Sequence, residues 1–171
     1  CTLTLYKDCE LSQNIVIGNA TVTVDMNGHS ILLAYRIKVN DGGVLYLKNS
    51  GENGSIETEI DVNKGGTLIN GTADDSRSAV SVFGVTADAA KRVEIYGGSY
   101  EGLTVNNGTS GIALYGGSYE SINTNDLTDS TPVSALLAKG YAFATLNSVT
   151  HLPESIVDGS ETNLNPGLEH V

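Results

Sequence analysis

At 171 residues the chain suits one domain and is long enough to bury a core. Its 20 acidic residues against 9 basic ones give a formal charge of −11, a field that repels phosphate backbones and anionic membrane surfaces and argues against nucleic acid as a partner. No apolar run approaches the ~18 residues of a membrane-crossing helix. Twenty glycines, three prolines and no tryptophan point to tight turns, and the abundance of Val, Ile, Thr and Tyr to strands.

Residues 1–24 alternate: Leu3 and Leu5, Val16 and Ile17, Val22 and Val24 are short apolar pairs between polar turns. Cys1 and Cys9 are the only cysteines. With Lys7-Asp8 as a turn between them they could meet as a disulfide, which we favour over two free thiols on the extracellular look of the rest. Cys1 opens a strand-like segment rather than a tether, which argues against a lipidated N-terminal cysteine. Asn27-Gly28 is a turn signal, and Ile31-Leu32-Leu33-Ala34 reads as buried on both sides.

From Arg36 onward two series of strand-like segments interleave. The first is Ile37-Lys38-Val39, Ile60-Asp61-Val62, Val80-Ser81-Val82 and Leu103-Thr104-Val105. The second is Val44–Leu47, Thr67–Asn70, Val93–Tyr96 and Ile112–Tyr115. In each triplet of the first series the outer residues are apolar, so by the two-residue period of a strand they face in and the middle residue faces out. Ile95-Tyr96-Gly97-Gly98-Ser99-Tyr100-Glu101 returns almost unchanged as Leu114-Tyr115-Gly116-Gly117-Ser118-Tyr119-Glu120. Strands and tight corners repeating every ~20–25 residues, with no helical pattern, predict an all-β fold: a single-stranded, right-handed parallel β-helix.

The corners agree. Asn40, Asn63 and Asn106 each follow a first-series triplet and precede glycine-bearing turns, which predicts a structural ladder of stacked asparagines. Phe83 follows the third triplet and interrupts that ladder. Ala79 through Arg92 reads as an insertion, and its alanine-rich part, 85–92, could form a helical turn. Beyond Ile122 the repeat fades. Residues 134–143 are the best helix candidate, ending at Gly140, and could cover the open end of the last coil. The expected organisation is a capped β-helix over 1–143 and an irregular tail over 144–171.

No catalytic constellation stands out. Carboxylates occur close together at Asp74-Asp75, Glu57 and Glu59, and Asp126 and Asp129, and two acids in reach could serve as acid and base on a glycoside. His29, His151 and His170 are far apart, no metal-binding spacing occurs, and no cofactor motif is present. The tyrosines are the better surface candidates. Tyr96 and Tyr115 are equivalent by the repeat, as are Tyr100 and Tyr119. An outward pair would form an aromatic strip for stacking on sugar rings, and an inward pair would be core.

The segments Thr21–Ile31, Gly42–Leu47 and Gly65–Gly71, the Tyr-Gly-Gly-Ser-Tyr repeats and Leu136–Phe143 resemble β-helical repeat regions of large secreted or surface-anchored proteins of Gram-positive bacteria, particularly gut Firmicutes. The resemblance covers residues 1–143. It implies an extracellular or cell-surface setting within a larger polypeptide, and carries over no catalytic residues. The expected function is a non-catalytic adhesin- or stalk-like module facing host or cell-wall glycan or protein. The alternative is a carbohydrate-active enzyme of β-helix type, a polysaccharide lyase or glycoside hydrolase. The closing Leu168-Glu169-His170 resembles the start of a cloning tag.

Overall fold

The structure, a computed structural model, describes residues 1–32, 35–125, 133–146 and 153–156. The chain winds into a parallel β-solenoid of about five turns. Sheet A has six parallel strands, one per coil: Thr2–Thr4, Thr21–Asp25, Val44–Lys48, Thr67–Asn70, Arg92–Ile95 and Ile112–Leu114. Sheet B stacks Cys9–Glu10, Ser30–Leu32, Ser55–Val62, Ser81–Ala87, Ser99–Val105 and Ser118–Tyr119, with Ile15–Ile17, Ile37–Val39 and Ile122–Asn123 continuing its far half.

The two-residue period decides what the interior holds. In sheet A one inward column runs Val22, Leu45, Leu68, Val93, Ile112, and a second runs Val24, Leu47, Asn70, Ile95, Leu114. In sheet B the columns are Ile17, Val39, Val62, Ala87, Val105, then Ile15, Ile37, Ile60, Val85, Leu103, Ile122, then Cys9, Ile31, Ile56, Val82, Tyr100, Tyr119. Most of these side chains are buried and form one continuous core.

The pairing corrects the apolar alignment in both series. Val85-Thr86-Ala87, not Val80-Ser81-Val82, lies opposite Ile60-Asp61-Val62. In sheet A, Arg92–Ile95 rather than Val93–Tyr96 lies opposite Thr67–Asn70. The first slip has a clear physical origin: Val80-Ser81-Val82 and Val85-Thr86-Ala87 both satisfy an in-out-in pattern, and corner length chooses between them.

The corner ladder changes accordingly. Asn63 donates from Nδ2 to Asn40 Oδ1 at 2.8 Å. The next residue in that stack is Asp88, whose amide bonds to Val62 O, followed by Asn106, whose amide bonds to Ala87 O. Phe83 is not at this corner at all. Residues 85–92 form no helical turn, since Val85–Ala87 belong to a strand. The extra length lies in residues 71–80, which carry the 3₁₀ turn Ser76–Ser78, capped by Asp75 through Arg77 N at 3.0 Å.

At the C-terminal end the expected helix is a single 3₁₀ turn, Val133–Leu136. The chain then extends, because the last strand of sheet A leaves backbone groups open. Leu137 bridges Leu114 in parallel, and Ala138 N bonds to Leu114 O at 3.0 Å. Val133, Leu136 and Phe143 are buried in the core cluster and close this end. Within the expected irregular tail, Ala144–Leu146 pairs antiparallel with Pro153–Ile156; its other residues lie outside those described.

The expected Cys1–Cys9 bridge is not formed: both thiols are free. The pairing separates them. Cys1 leads into sheet A, and its ammonium donates to Thr21 O at 2.8 Å. Cys9 heads the inward column of sheet B and packs against the core.

Asp25 anchors the corner after the second strand of sheet A. It is buried, pairs with Lys48 at 3.0 Å, and accepts from the Ser50 amide and hydroxyl and from the Asn27 amide. Burial alone would raise its pKa; the hydrogen bonds from Ser50, Lys48 and Asn27 outweigh it and hold the carboxyl below its usual value. A depressed carboxyl contributes stability above its unfolded pKa of about 3.9 and loses it as the pH falls through the lower folded value. Asp25→Asn is therefore expected to lower the urea midpoint at pH 7 and to narrow the gap from wild type as the pH falls below about 4. A constant deficit across that window would contradict the assignment.

Candidate functional site

The main concavity of the described residues lies on the outer face of sheet B. It is a groove of about 550 Å³ that crosses four successive coils and runs along the solenoid axis. Its origin is local. In the coils of Ser81–Ala87, Ser99–Val105 and Ser118–Asn123, two consecutive residues stand between inward ones: Phe83-Gly84 between Val82 and Val85, Glu101-Gly102 between Tyr100 and Leu103, and Glu120-Ser121 between Tyr119 and Ile122. The register against Ser55–Val62 slips between Val82 and Gly84. Such a bulge bends a strand and re-aims its side chains, and bulges gather beside functional sites.

Two outward rows line the groove. One is serine: Ser55, Ser81, Ser99 and Ser118, with Ser30 one coil earlier. Neighbours in this row are tied together, with Ser30 Oγ to Ser55 Oγ at 2.8 Å and Ser118 Oγ to Ser99 Oγ at 3.0 Å. The second row, two residues on in each strand, is Glu57, Phe83, Glu101 and Glu120. All four are exposed, and Phe83 keeps 42% of its surface open. No lysine or arginine lines the groove.

The tyrosines divide into two stacks. Tyr100 and Tyr119 point inward, 2% and 1% exposed, with ring centroids 5.0 Å apart. Their hydroxyls donate to Gly97 O and Gly116 O, and Tyr100 Oη accepts from Asn70 Nδ2 at 2.6 Å. Burial raises both phenol pKa values. They lie beneath the groove and offer no ring face to a ligand, which corrects the expectation of an outward strip at these positions. Their place in the inward column that includes Ile56 and Val82 is the reason.

Tyr96 and Tyr115 are half-buried at the edge of sheet A, stacked at 4.5 Å and 8°. Tyr141 meets Tyr115 edge-on at 5.6 Å. Tyr96 Oη donates to Glu94 Oε2 at 3.1 Å. Burial, then the Glu94 charge, pushes the Tyr96 phenol up to about 12. The faces these rings turn to each other are already in use, so their main work is packing.

Of the other candidate carboxylates, Glu59 and Asp75 have structural partners, whereas Asp74 is exposed and has no ion pair among the described residues. Arg36 bridges Glu59 at 2.5 Å and Asp61 at 2.8 Å. Asp75 caps its 3₁₀ turn and pairs with Arg77. Glu57, from the same pairing in the sequence, stands apart in the groove. Asp126, Asp129, His151 and His170 lie outside the described residues. His29 Nδ1 is 3.5 Å from Asp8, and no group of three metal-ligating side chains occurs among the described residues.

Phe83, Glu101 and Glu120 are the site residues absent from the sequence-based candidates, which held only Glu57 of this row. A signal was available. Ser55-Ile56-Glu57, Ser81-Val82-Phe83, Ser99-Tyr100-Glu101 and Ser118-Tyr119-Glu120 share one pattern, serine then a core residue then an exposed one. Comparison with family models, curated proteins and solved structures finds no match for this chain.

Proposed function

We propose that this chain is a non-catalytic, extracellular or bacterial cell-surface β-solenoid module, and that the groove on sheet B binds carbohydrate. The observation that carries this reading is Phe83, an exposed ring in a concave, hydroxyl-lined channel with carboxylates before and after it. An aromatic face supports the apolar side of a sugar ring, and carboxylates accept hydrogen bonds from its hydroxyls. Ligand sites combine an apolar surface with a few placed polar groups in this way.

One observation speaks for an enzyme. Glu101 and Glu120 stand on adjacent strands, whose ~4.8 Å spacing is near that of the carboxyl pair in retaining glycosidases. They occupy equivalent places on the same face, however, and rise side by side rather than across a bond from each other. That arrangement suits holding a chain better than cleaving it.

A glycan array followed by calorimetry tests the proposal. Phe83→Ala, at an exposed position, is expected to leave the fold intact and to weaken glycan binding about tenfold. An unchanged affinity would remove the groove from the account. Release of product from a polysaccharide would replace the binding module with the enzyme.

A further inference from the structure

We propose that the groove takes a polycationic amino-sugar chain, laid along the solenoid axis with about one ring per coil. This rests on the carbohydrate reading above and adds the charge and direction of the ligand.

Carboxylates inside and outside the groove differ in their partners. On the rest of the solenoid most strand carboxylates are matched to a cation, Asp25 to Lys48, Glu59 and Asp61 to Arg36 and Glu94 to Arg92, with Glu10 near the N-terminal end as the exception. Glu57, Glu101 and Glu120 have no ion pair among the described residues. Glu101 and Glu120 also sit one place beyond the paired Tyr100 and Tyr119, directly opposite each other. Like charges facing across adjacent strands destabilise a sheet. A cationic ligand relieves that repulsion, whereas a neutral one leaves it in place.

The spacing of the row matches a sugar chain. The row Glu57, Phe83, Glu101, Glu120 advances by one strand per step, ~4.8 Å, about the length of one sugar ring in a linear chain. An extended peptide presents same-side residues at a longer step, about 6.6–6.8 Å, and falls out of register with the row. Serine hydroxyls run parallel to the row and meet the polar edge of each ring.

The test titrates the whole chain with a glucosamine hexamer, an N-acetylglucosamine hexamer and hexalysine, at low and at high salt. The glucosamine hexamer is expected to bind at least about tenfold more tightly than either other probe and to weaken as salt rises. Glu101→Gln and Glu120→Gln are each expected to cost about tenfold in that affinity, while the thermal midpoint holds or rises as the facing charges are removed. Equal, salt-insensitive binding of the acetylated hexamer would overturn the cationic ligand and leave the carbohydrate reading standing. Equal binding of hexalysine would overturn the sugar. If neither hexamer binds and the glycan array is also blank, the inference and the carbohydrate reading fall together.

Discussion

Asn70→Leu is expected to destabilise the solenoid by roughly 3–5 kcal/mol, although leucine suits an inward strand position. Asn70 is only 1% exposed and sits in a core column between Leu47 and Ile95. Its carboxamide is fully engaged. Oδ1 accepts from Val80 N at 2.8 Å, and Nδ2 donates to Val80 O at 2.7 Å and to Tyr100 Oη at 2.6 Å. Val80 is buried as well, so leucine would strand both of its backbone groups away from water. Asn70 thereby closes the neck of the longest corner, residues 71–80, and seats Tyr100 below the groove. Urea denaturation reads the effect. A loss under about 1 kcal/mol would show that water or a local shift replaces the carboxamide.

Gly66→Ala is expected to be comparably severe, roughly 3 kcal/mol or more. The reason is coil stacking rather than backbone freedom. A Cβ at Gly66 would stand 2.3 Å from Val39 O and 3.0 Å from Asn63 O, both backbone atoms. Those carbonyls accept the Asn63 and Gly66 amides, so the clash cannot be relieved without prising two coils apart. Gly102→Ala is the control, because its Cβ would meet only Ser121 Oγ at 3.6 Å. It should stay within about 0.5 kcal/mol of wild type. Similar losses at both positions would mean that the coils are not held at this corner.

The solenoid itself could be read from the chain because its repeats obey one rule, apolar residues two apart with glycine corners between them. The rule leaves phase undetermined. Val80-Ser81-Val82 and Val85-Thr86-Ala87 both satisfy it, and only the ten-residue corner 71–80 and the slip between Val82 and Gly84 decide which triplet faces Ile60–Val62. The end of the chain was misread for a related reason. Residues 134–143 have helical composition, yet the open backbone of Leu114 draws Leu137 and Ala138 into pairing.

The groove was within reach for the same reason that the tyrosines were overrated. The repeated Tyr-Gly-Gly-Ser-Tyr draws the eye to its aromatics, but alternation from an outward Ser99 turns Tyr100 in and Glu101 out. Phe83 took a corner position in the apolar alignment, and only the observed register moves it to the outer face beside Glu101. A bend that sets two residues between successive inward ones, Phe83-Gly84 or Glu101-Gly102, cannot be seen in a strict two-residue period.

The central claim, that sheet B carries the binding face, is tested most directly by backbone amide chemical-shift mapping while the glucosamine hexamer is titrated in. The account predicts shifts confined to residues 55–57, 81–84, 99–102 and 118–121, whose titration midpoint moves to about tenfold higher hexamer concentration in Phe83→Ala. Shifts centred on Tyr96, Tyr115 and Tyr141, with the groove amides unmoved, would contradict it.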